Sequence, residues 1–277
     1  ASVSDPILIR EDGSYLYTLP SVIDDVDYNI THIVRGEDHV TNSSVQYQIF
    51  EAIGGKVPEM AHFALLTGKG GEALSKRFGT LSISSYRDET GLEPMAIISL
   101  LGRLGTSDAI EAEVSAAKLI EAFDFAKFGR SAAKLDPEEL TSLNAKILHI
   151  LPYADVAARL PGISEAFWQA VQPNISTLAD VEAWRAIVDG PVTPVIEADD
   201  QGFIASAAAV LPEGALTAET WGVWTTALKE QTGRKGRTLF MPLRQALTGQ
   251  AHGPDMGALL PLIGRQKVLA RLTGAEV

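Results

Sequence analysis

The sequence predicts a mainly α-helical chain that opens with a short α/β stretch. Three observations point that way. Residues 30–35, Ile-Thr-His-Ile-Val-Arg, form a β-branched run that passes through a polar turn into a helical pattern. Strand signals are few after about residue 90. From there helix starts and stops recur, with Asp, Ser, Thr or Pro before apolar periods and Gly or Pro after them. The 277 residues suggest two domains by the loose prior of ~150 residues each. A hydrophobic content of 46% is ample for a packed core.

Residues 7–10 and 14–18 flank Glu11-Asp12-Gly13 as the arms of a hairpin. The run 30–35 suits a buried parallel strand. Gly36-Glu37-Asp38-His39 makes the turn. The helix after it is capped by Thr41 or Asn42, carries Val45, Ile49 and Ile53 on one face, and stops at Gly54. Strand, turn and helix are half of a mononucleotide-binding unit, whose ligands gather at the carboxyl ends of strands. Residues 67–80, rich in glycine and basic, read as a mobile loop rather than helix or strand. Pro94 starts a helix with Met95, Ile98 and Leu101 or Leu104 on one face, and Ser115 caps another. Asp136-Pro137-Glu138-Glu139 supplies a cap, a first-turn proline and acids that suit the helix dipole. Leu140, Leu143, Ile147 and Leu151 follow at helical spacing up to Pro152, and from about residue 130 the reading is all-α. Thr217 caps a helix with Trp221, Trp224 and Leu228, which read as core, and Gly233 past its end. Pro242 starts a further short helix ended near Gly249, and Pro254 opens the last region.

The chain has no cysteine, which excludes a disulfide framework, a thiolate metal site and a cysteine nucleophile. No segment approaches the ~18 consecutive apolar residues of a membrane span. The first residues hold no basic stretch followed by an apolar one, so no signal peptide is read. A soluble cytoplasmic chain with no membrane partner is expected. The net charge of −12 argues at first sight against a nucleic-acid partner. It is unevenly spread. Residues 1–70 carry 4 Lys/Arg against 10 Asp/Glu, residues 151–230 carry 3 against 11, and residues 231–277 carry 7 against 2. The basic island at the end is either a helical surface with a local Lys/Arg excess or a contact for phosphate.

Leu74-Ser75-Lys76-Arg77 is the most suggestive local feature. A lysine on a glycine loop can reach a polyphosphate and neutralise charge at the reacting phosphoryl group. Such tetrapeptides also arise by chance in solvated loops. The loop is not a Walker A site, because Lys69 is followed by Gly rather than Ser or Thr. Arg35, at the end of its strand, can clamp a carboxylate in bidentate fashion, or pair with Glu37 or Asp38. Tyr17 can orient a ligand through its hydroxyl, or be simply half-buried. His32 and His39 lack metal spacing, His62, His149 and His252 are isolated, and Asp24, Asp25 and Asp27 are too few for calcium.

The order of these features says more than any one of them. YLYTLPSVIDD (15–25), ITHIVRGEDHVTNSSVQ (30–46), ALSKRFG (73–79), GLEPMAIISLLGRLG (91–105), FDFAKFGRSAAKLD (123–136) and LFMPLRQALTGQAHGPDMGALLPLIG (239–264) run collinearly over nearly the whole chain. Together they resemble the bacterial glutamyl-tRNA synthetase family of class I aminoacyl-tRNA synthetases. RGEDH followed about 40 residues on by LSKR is specific to the glutamyl/glutaminyl group. The helical C-terminal element argues against the short glutamyl-queuosine enzymes and against the glutaminyl enzyme, whose anticodon region is a β-barrel.

The resemblance implies ATP-dependent ligation of L-glutamate to tRNA through glutamyl-adenylate, with ATP carried as its Mg2+ complex and no zinc. It implies a mainly α chain in three regions: 1–70 as the C-terminal half of a Rossmann-type catalytic domain, 71–135 as a KMSKS-type loop and stem-contact region, and 136–277 as an all-α anticodon-binding region. Tyr17 and Arg35 match the glutamate pocket. Asp38 and His39 match the turn near ATP and the acceptor end. Ala73, Leu74, Ser75, Lys76 and Arg77 match the loop, where Ser75 and Lys76 meet ATP and Lys76 is the catalytic lysine. Ala73 stands where the family usually has Lys, with Lys69 close enough to substitute, and Phe78 replaces a frequent His. Arg234, Lys235, Arg237 and Arg244 are the tRNA-binding candidates. The expected partners are tRNA(Glu), with tRNA(Gln) as a second candidate, and a monomer is expected. None of the five histidines forms a His-x-Gly-His motif. An N-terminally truncated chain that does not itself form glutamyl-adenylate is therefore expected. The competing readings are a non-catalytic tRNA-binding module derived from a synthetase and a plain helical scaffold.

Overall fold

The computed structural model describes residues 5–72, 74 and 82–277. Contacts cluster into two compact units. One holds the described residues of 1–81 with 99–111 and 117–137, and the other holds 82–98, 112–116 and 138–277.

In the first unit the hairpin forms with a single antiparallel bridge, Ile9 to Tyr15. Its tip closes on Gly13, at φ 83°, and on Asp12 Oδ1, which accepts from the Ser14 N–H at 2.8 Å. The arm expected over 14–18 ends early, because Thr18 already begins α1 (Thr18–Asp27). Leu19, Val22 and Val26 repeat at helical spacing there, and burying that stripe outweighs extending the hairpin. β1 (His32–Gly36) pairs in parallel with β2 (Glu59–Phe63), with Arg35 beside His62. The strand is parallel as expected but not buried, since Val34 is 47% exposed. Only the Ile33 and Met60 face packs on α1 and α2 (Val40–Ala52), around Val22, Val45, Ile49 and Phe50. α2 starts at Val40, earlier than either Thr41 or Asn42 would set it, and His39 occupies the cap position without a side-chain cap bond. Ile53 lies past the helix end and is exposed.

β3 (Leu66–Gly68) pairs in parallel with β4 (Ala133–Leu135). The loop expected over 67–80 thus begins as a strand, and the all-α reading from about 130 yields three residues to the sheet. Three residues are too few for a period to show in sequence. Phe63, Phe123, Phe125 and Phe128 pack ring against ring beside this sheet, with Phe63 and Phe128 centroids 4.5 Å apart. α5 (Ala117–Ala122) starts two residues after Ser115, which therefore does not cap it.

After α3 (Ile83–Asp88), α4 (Pro94–Arg103) opens on its proline as expected. It buries Ala96, Ser99 and Leu100, whereas Ile98 and Leu101 are 44% and 41% exposed. The helix is apolar around most of its girth, so periodicity does not choose the face. α6 (Pro137–Ile150) buries Leu140, Leu143 and Ile147 as the spacing predicts.

The second unit continues with α7 (Tyr153–Val156), α8 (Glu165–Val171), α9 (Ala179–Asp189), α10 (Gln201–Ala209), α11 (Thr220–Thr232), α12 (Arg237–Thr248), α13 (Met256–Ile263) and α14 (Arg265–Leu272). Its core gathers Trp168, Phe203, Trp224, Leu228, Leu243, Leu247 and Leu260, with Trp221 packed partly buried against it. Thr217 lies upstream of α11, which begins at Thr220 with Gly233 past its end at φ 70°. Pro242 does not start a helix but sits inside α12. Proline cannot donate to the carbonyl four residues back. That carbonyl, Thr238 O, accepts instead from Arg234 Nη1 at 3.3 Å.

Candidate functional site

Arg35 stands one residue before the carboxyl end of β1, on the same face as Ile33, and reaches the first turns of α2. Its Nη2 donates to Ser43 Oγ and to Gln46 Oε1, both at 2.5 Å. Its Nη1 donates to Tyr17 Oη at 3.3 Å. The sequence brings Tyr17 there by placing it immediately before α1. Neither Glu37 nor Asp38 pairs with Arg35, so the internal ion pair that competed with a ligand-binding role does not form. Asp25 bears on the guanidinium electrostatically. Burial raises its carboxyl above the usual range, with the Arg35 charge opposing the rise and Asp24 adding to it.

The guanidinium has little left to give. Both Nη2 hydrogens are used, one Nη1 hydrogen remains, and Nε is buried without a partner. An end-on bidentate clamp would need Nη2 to release Ser43 or Gln46. The arrangement offers a carboxylate one Nη1 hydrogen beside the Tyr17 hydroxyl.

Asp38 and His39 follow in a 3-10 turn, residues 37–39. A Cβ at Gly36 would lie 2.5 Å from Asp38 Oδ1, so glycine there lets the aspartate fold back over the strand end. His39 Nε2 lies 3.9 Å from Asp38 Oδ2, its Nδ1 meets Asn42 Nδ2 at 3.2 Å, and its ring stands edge-on to Tyr17 at 6.1 Å. Tyr17, Arg35, Asp38 and His39 are thus brought to one end of β1. Lys69, the candidate substitute for the missing loop lysine, pairs with Asp136 at 2.7 Å. Leu74 is half-buried, while Ala73, Ser75, Lys76 and Arg77 lie outside the described residues, as does Phe78. Among the described residues no group of three or more His, Cys, Asp or Glu could hold a metal ion.

Sequence reasoning missed Ser21, Ser43, Gln46 and His62. Ser43 Oγ meets His62 Nε2 at 2.7 Å, and Gln46 Nε2 donates to Ser21 Oγ at 2.6 Å. The available signal was the pairing of β1 with β2, which sets His62 directly beside Arg35.

In the second unit the basic island divides. Arg234 pairs with Asp200, lies 4.4 Å over the Phe203 ring and donates to Thr238 O. Arg244 Nη2 donates to Pro254 O at 2.9 Å. Burial lowers the Arg244 pKa from its usual value, against the charge of Asp255. Arg265 donates to Pro212 O, and Lys267 to Val188 O and Asp189 O. Arg271, buried, donates to Ile187 O, Gly190 O, Leu247 O and Val277 O. Lys235 and Arg237 are exposed and make no such bond among the described residues. Arg237 lines an open cavity of about 530 Å³ with Asp200, Arg234, Met241 and Gln245. Phe240, three residues on, is 43% exposed and lies 6.2 Å from Trp221.

A family model described as tRNA synthetases class I (E and Q), catalytic domain, matches residues 1–142, just over half of the chain. The chain belongs to this class I synthetase family. A second model, an anticodon binding domain, matches residues 150–275 of the synthetase chain. Glutamate–tRNA ligase 1 of Maricaulis maris is 58% identical over 278 residues, 99% of this chain and 62% of that protein. Glutamate–tRNA ligase 2 of Hyphomonas neptunium is 57% identical over the same shares. The synthetase chain therefore spans 62% of the length of these curated relatives. Its fold is that of a crystal structure of a glutamate tRNA ligase from Elizabethkingia meningosepticum in complex with its amino acid. The TM-score is 0.79 at 23% identity, covering 98% of this chain and 62% of that one. The catalytic-domain match takes in Tyr17, Arg35, Asp38, His39 and residues 73–77, and the anticodon match takes in Arg234, Lys235, Arg237 and Arg244.

Proposed function

We propose that the chain is the part of a glutamate–tRNA ligase that holds the glutamate side of the active site, the ATP loop and the anticodon-binding region. The observation that carries this is the Arg35 cluster: a guanidinium braced by Ser43 and Gln46 at the carboxyl end of β1, with the Tyr17 hydroxyl beside its open hydrogen. Relatives at 58% and 57% identity named glutamate–tRNA ligase support the same reading.

In this reading a glutamate carboxylate oxygen attacks the α-phosphorus of ATP and pyrophosphate leaves. A hydroxyl of the tRNA's terminal adenosine then attacks the acyl carbon and AMP leaves. Arg35 and Tyr17 orient the amino acid. Ser75 and Lys76 meet the phosphates, where the lysine offsets charge that grows in the transition state. Asp38 and His39 flank the nucleotide and acceptor end. Mg2+ enters with the phosphates of ATP. The partners are tRNA(Glu), with tRNA(Gln) as the second candidate, and the protein acts as a cytoplasmic monomer. The three regions are 1–70, 71–135 and 136–277.

Charging assays with glutamate, ATP and each tRNA test the whole synthetase, and absence of glutamyl-tRNA(Glu) refutes the reading. The 277 residues alone hold no His-x-Gly-His motif. They are expected to bind tRNA without supporting ATP–pyrophosphate exchange, and turnover like that of an intact enzyme refutes that part. A gene encoding no His-x-Gly-His upstream of Ala1 would favour the non-catalytic tRNA-binding module instead.

A further inference from the structure

We infer that Ser43 and His62 are positioning residues that fix the direction of the Arg35 guanidinium toward a carboxylate ligand. This rests on the proposed role of Arg35 and extends it to the two side chains bonded in series behind its Nη2.

The bonds form a chain with one consistent direction. Arg35 Nη2 donates to Ser43 Oγ and to Gln46 Oε1. Gln46 Nε2 donates to Ser21 Oγ, and Ser21 Oγ donates to Thr18 O at 3.1 Å. Ser43 Oγ accepts from the guanidinium, so its own hydrogen is free to donate to His62 Nε2 at 2.7 Å. That requires a neutral imidazole with its proton on Nδ1. The opposite tautomer would aim an N–H at an oxygen that already accepts from Arg35 and would leave the serine hydrogen without an acceptor. The strand register supplies the reason for the pairing, because Arg35 and His62 are direct neighbours across β1 and β2 and both face α2. Ser43 and Gln46 lie one helical turn apart on α2 and grip the same nitrogen from two sides. With Nη2 held this way, Nη1 is the nitrogen left to point at Tyr17 and the ligand. A side chain fixed by such partners loses less freedom when its ligand binds.

Proton–nitrogen correlation spectra of the 277-residue chain test this. The His62 ring is expected to carry its proton on Nδ1, with Nε2 bare. The two Arg35 Nη signals are expected to be resolved in the wild type and in Ser43→Thr, which keeps the hydroxyl. In Ser43→Ala and His62→Ala they are expected to broaden toward each other as the guanidinium turns faster, held by Gln46 and Tyr17 with Ser43 absent or no longer fixed. His62→Gln, whose carbonyl can accept from Ser43, is expected to sharpen them again. A protonated Nε2 in the wild type overturns the inference. So do Arg35 signals unchanged in a folded Ser43→Ala or His62→Ala. Titration with L-glutamate reads the consequence, with affinity expected to fall about tenfold in each alanine variant and to return in Ser43→Thr. Equal affinity in the wild type and His62→Ala also overturns it. A wild type that gives no response to L-glutamate refutes the substrate reading of Arg35 instead, while the ring and guanidinium signals still decide the positioning role.

Discussion

Replacing Lys235 and Arg237 together by alanine should change how salt controls tRNA binding, and the size of the change follows from the structure. Of the seven basic side chains in residues 231–277, Arg234, Arg244, Arg265, Lys267 and Arg271 spend donors on Asp200 or on backbone carbonyls of their own unit. Lys235 and Arg237 are exposed and unbonded among the described residues. If both meet phosphates of unpaired RNA, each contributes about 0.7 to the slope of log K against log salt. The double variant should therefore flatten the slope by about 1.4. Between about 50 mM and 200 mM salt, that makes the variant lose roughly sevenfold less affinity than the wild type. Filter binding of tRNA across that range is the assay, with circular dichroism to confirm the fold. Lys267→Ala is the contrast, because its ammonium holds the last carbonyls of α9, and it should lower stability and leave the slope alone. An unchanged slope in a folded double variant refutes the assignment. A Lys267→Ala slope that falls by as much as half of the double variant's change refutes the division of the island.

Gly253 sits at φ 146° with Trp184 packed over it, and a Cβ would lie 2.5 Å from Trp184 Cζ2. Gly253→Ala should cost about 2–4 kcal/mol in urea unfolding, from strained backbone and a displaced ring. Arg271→Met keeps the length but not the donors. It should cost about 3–5 kcal/mol, because buried carbonyls of α9 and α12 lose their partner. Part of the loss is returned, since burial already lowers the Arg271 pKa and so taxes its charge. Asp25 has a folded-state pKa raised chiefly by burial. Its contribution favours the folded state at pH below the unfolded aspartate value and is lost as pH rises through the folded value. Asp25→Asn should therefore raise stability at pH 7 and flatten its pH dependence, read by thermal unfolding at a series of pH values.

Much of the fold was legible because local chemistry and burial agreed. The Asp136-Pro137 start gave α6 and its buried Leu140, Leu143 and Ile147, and the β-branched run gave β1 with its turn and helix. Where the sequence misled, a longer-range contact decided. Pro242 reads as a helix start until Arg234 is seen to take the carbonyl the proline cannot use. The buried face of α4 was invisible because most of its circumference is apolar. β3 and β4 were invisible because three residues carry no period. At the candidate site, only the family resemblance set Tyr17 and Arg35 in one pocket, and the two side chains meet. His62 looked isolated because its partner Ser43 is 19 positions away along the chain, and the pair forms only where the strand register sets His62 beside Arg35 and α2 packs over both.

The basic end also has a use inside its own unit. A net charge of −12 with a basic end invites the reading that the end is a phosphate surface. A helical domain, however, has its own demand for cations. Each helix leaves carbonyls without partners at its C-terminus. Lys267 takes Val188 O and Asp189 O at the end of α9, and Arg271 takes Ile187 O and Gly190 O there and Leu247 O near the end of α12. Those cations spend donors on the unit's own carbonyls, and Arg271 is buried in doing so. If the island meets phosphate, the cations free to do so without breaking a bond are Lys235 and Arg237, which flank the start of α12 beside an exposed Phe240. Two phosphate contacts next to an exposed aromatic ring suit a short unpaired stretch, whose bases can stack while its backbone is neutralised, better than a duplex. That is why the expected salt slope is modest, and why a steep loss of slope on removing any of the five cations bonded within the unit would contradict this assignment.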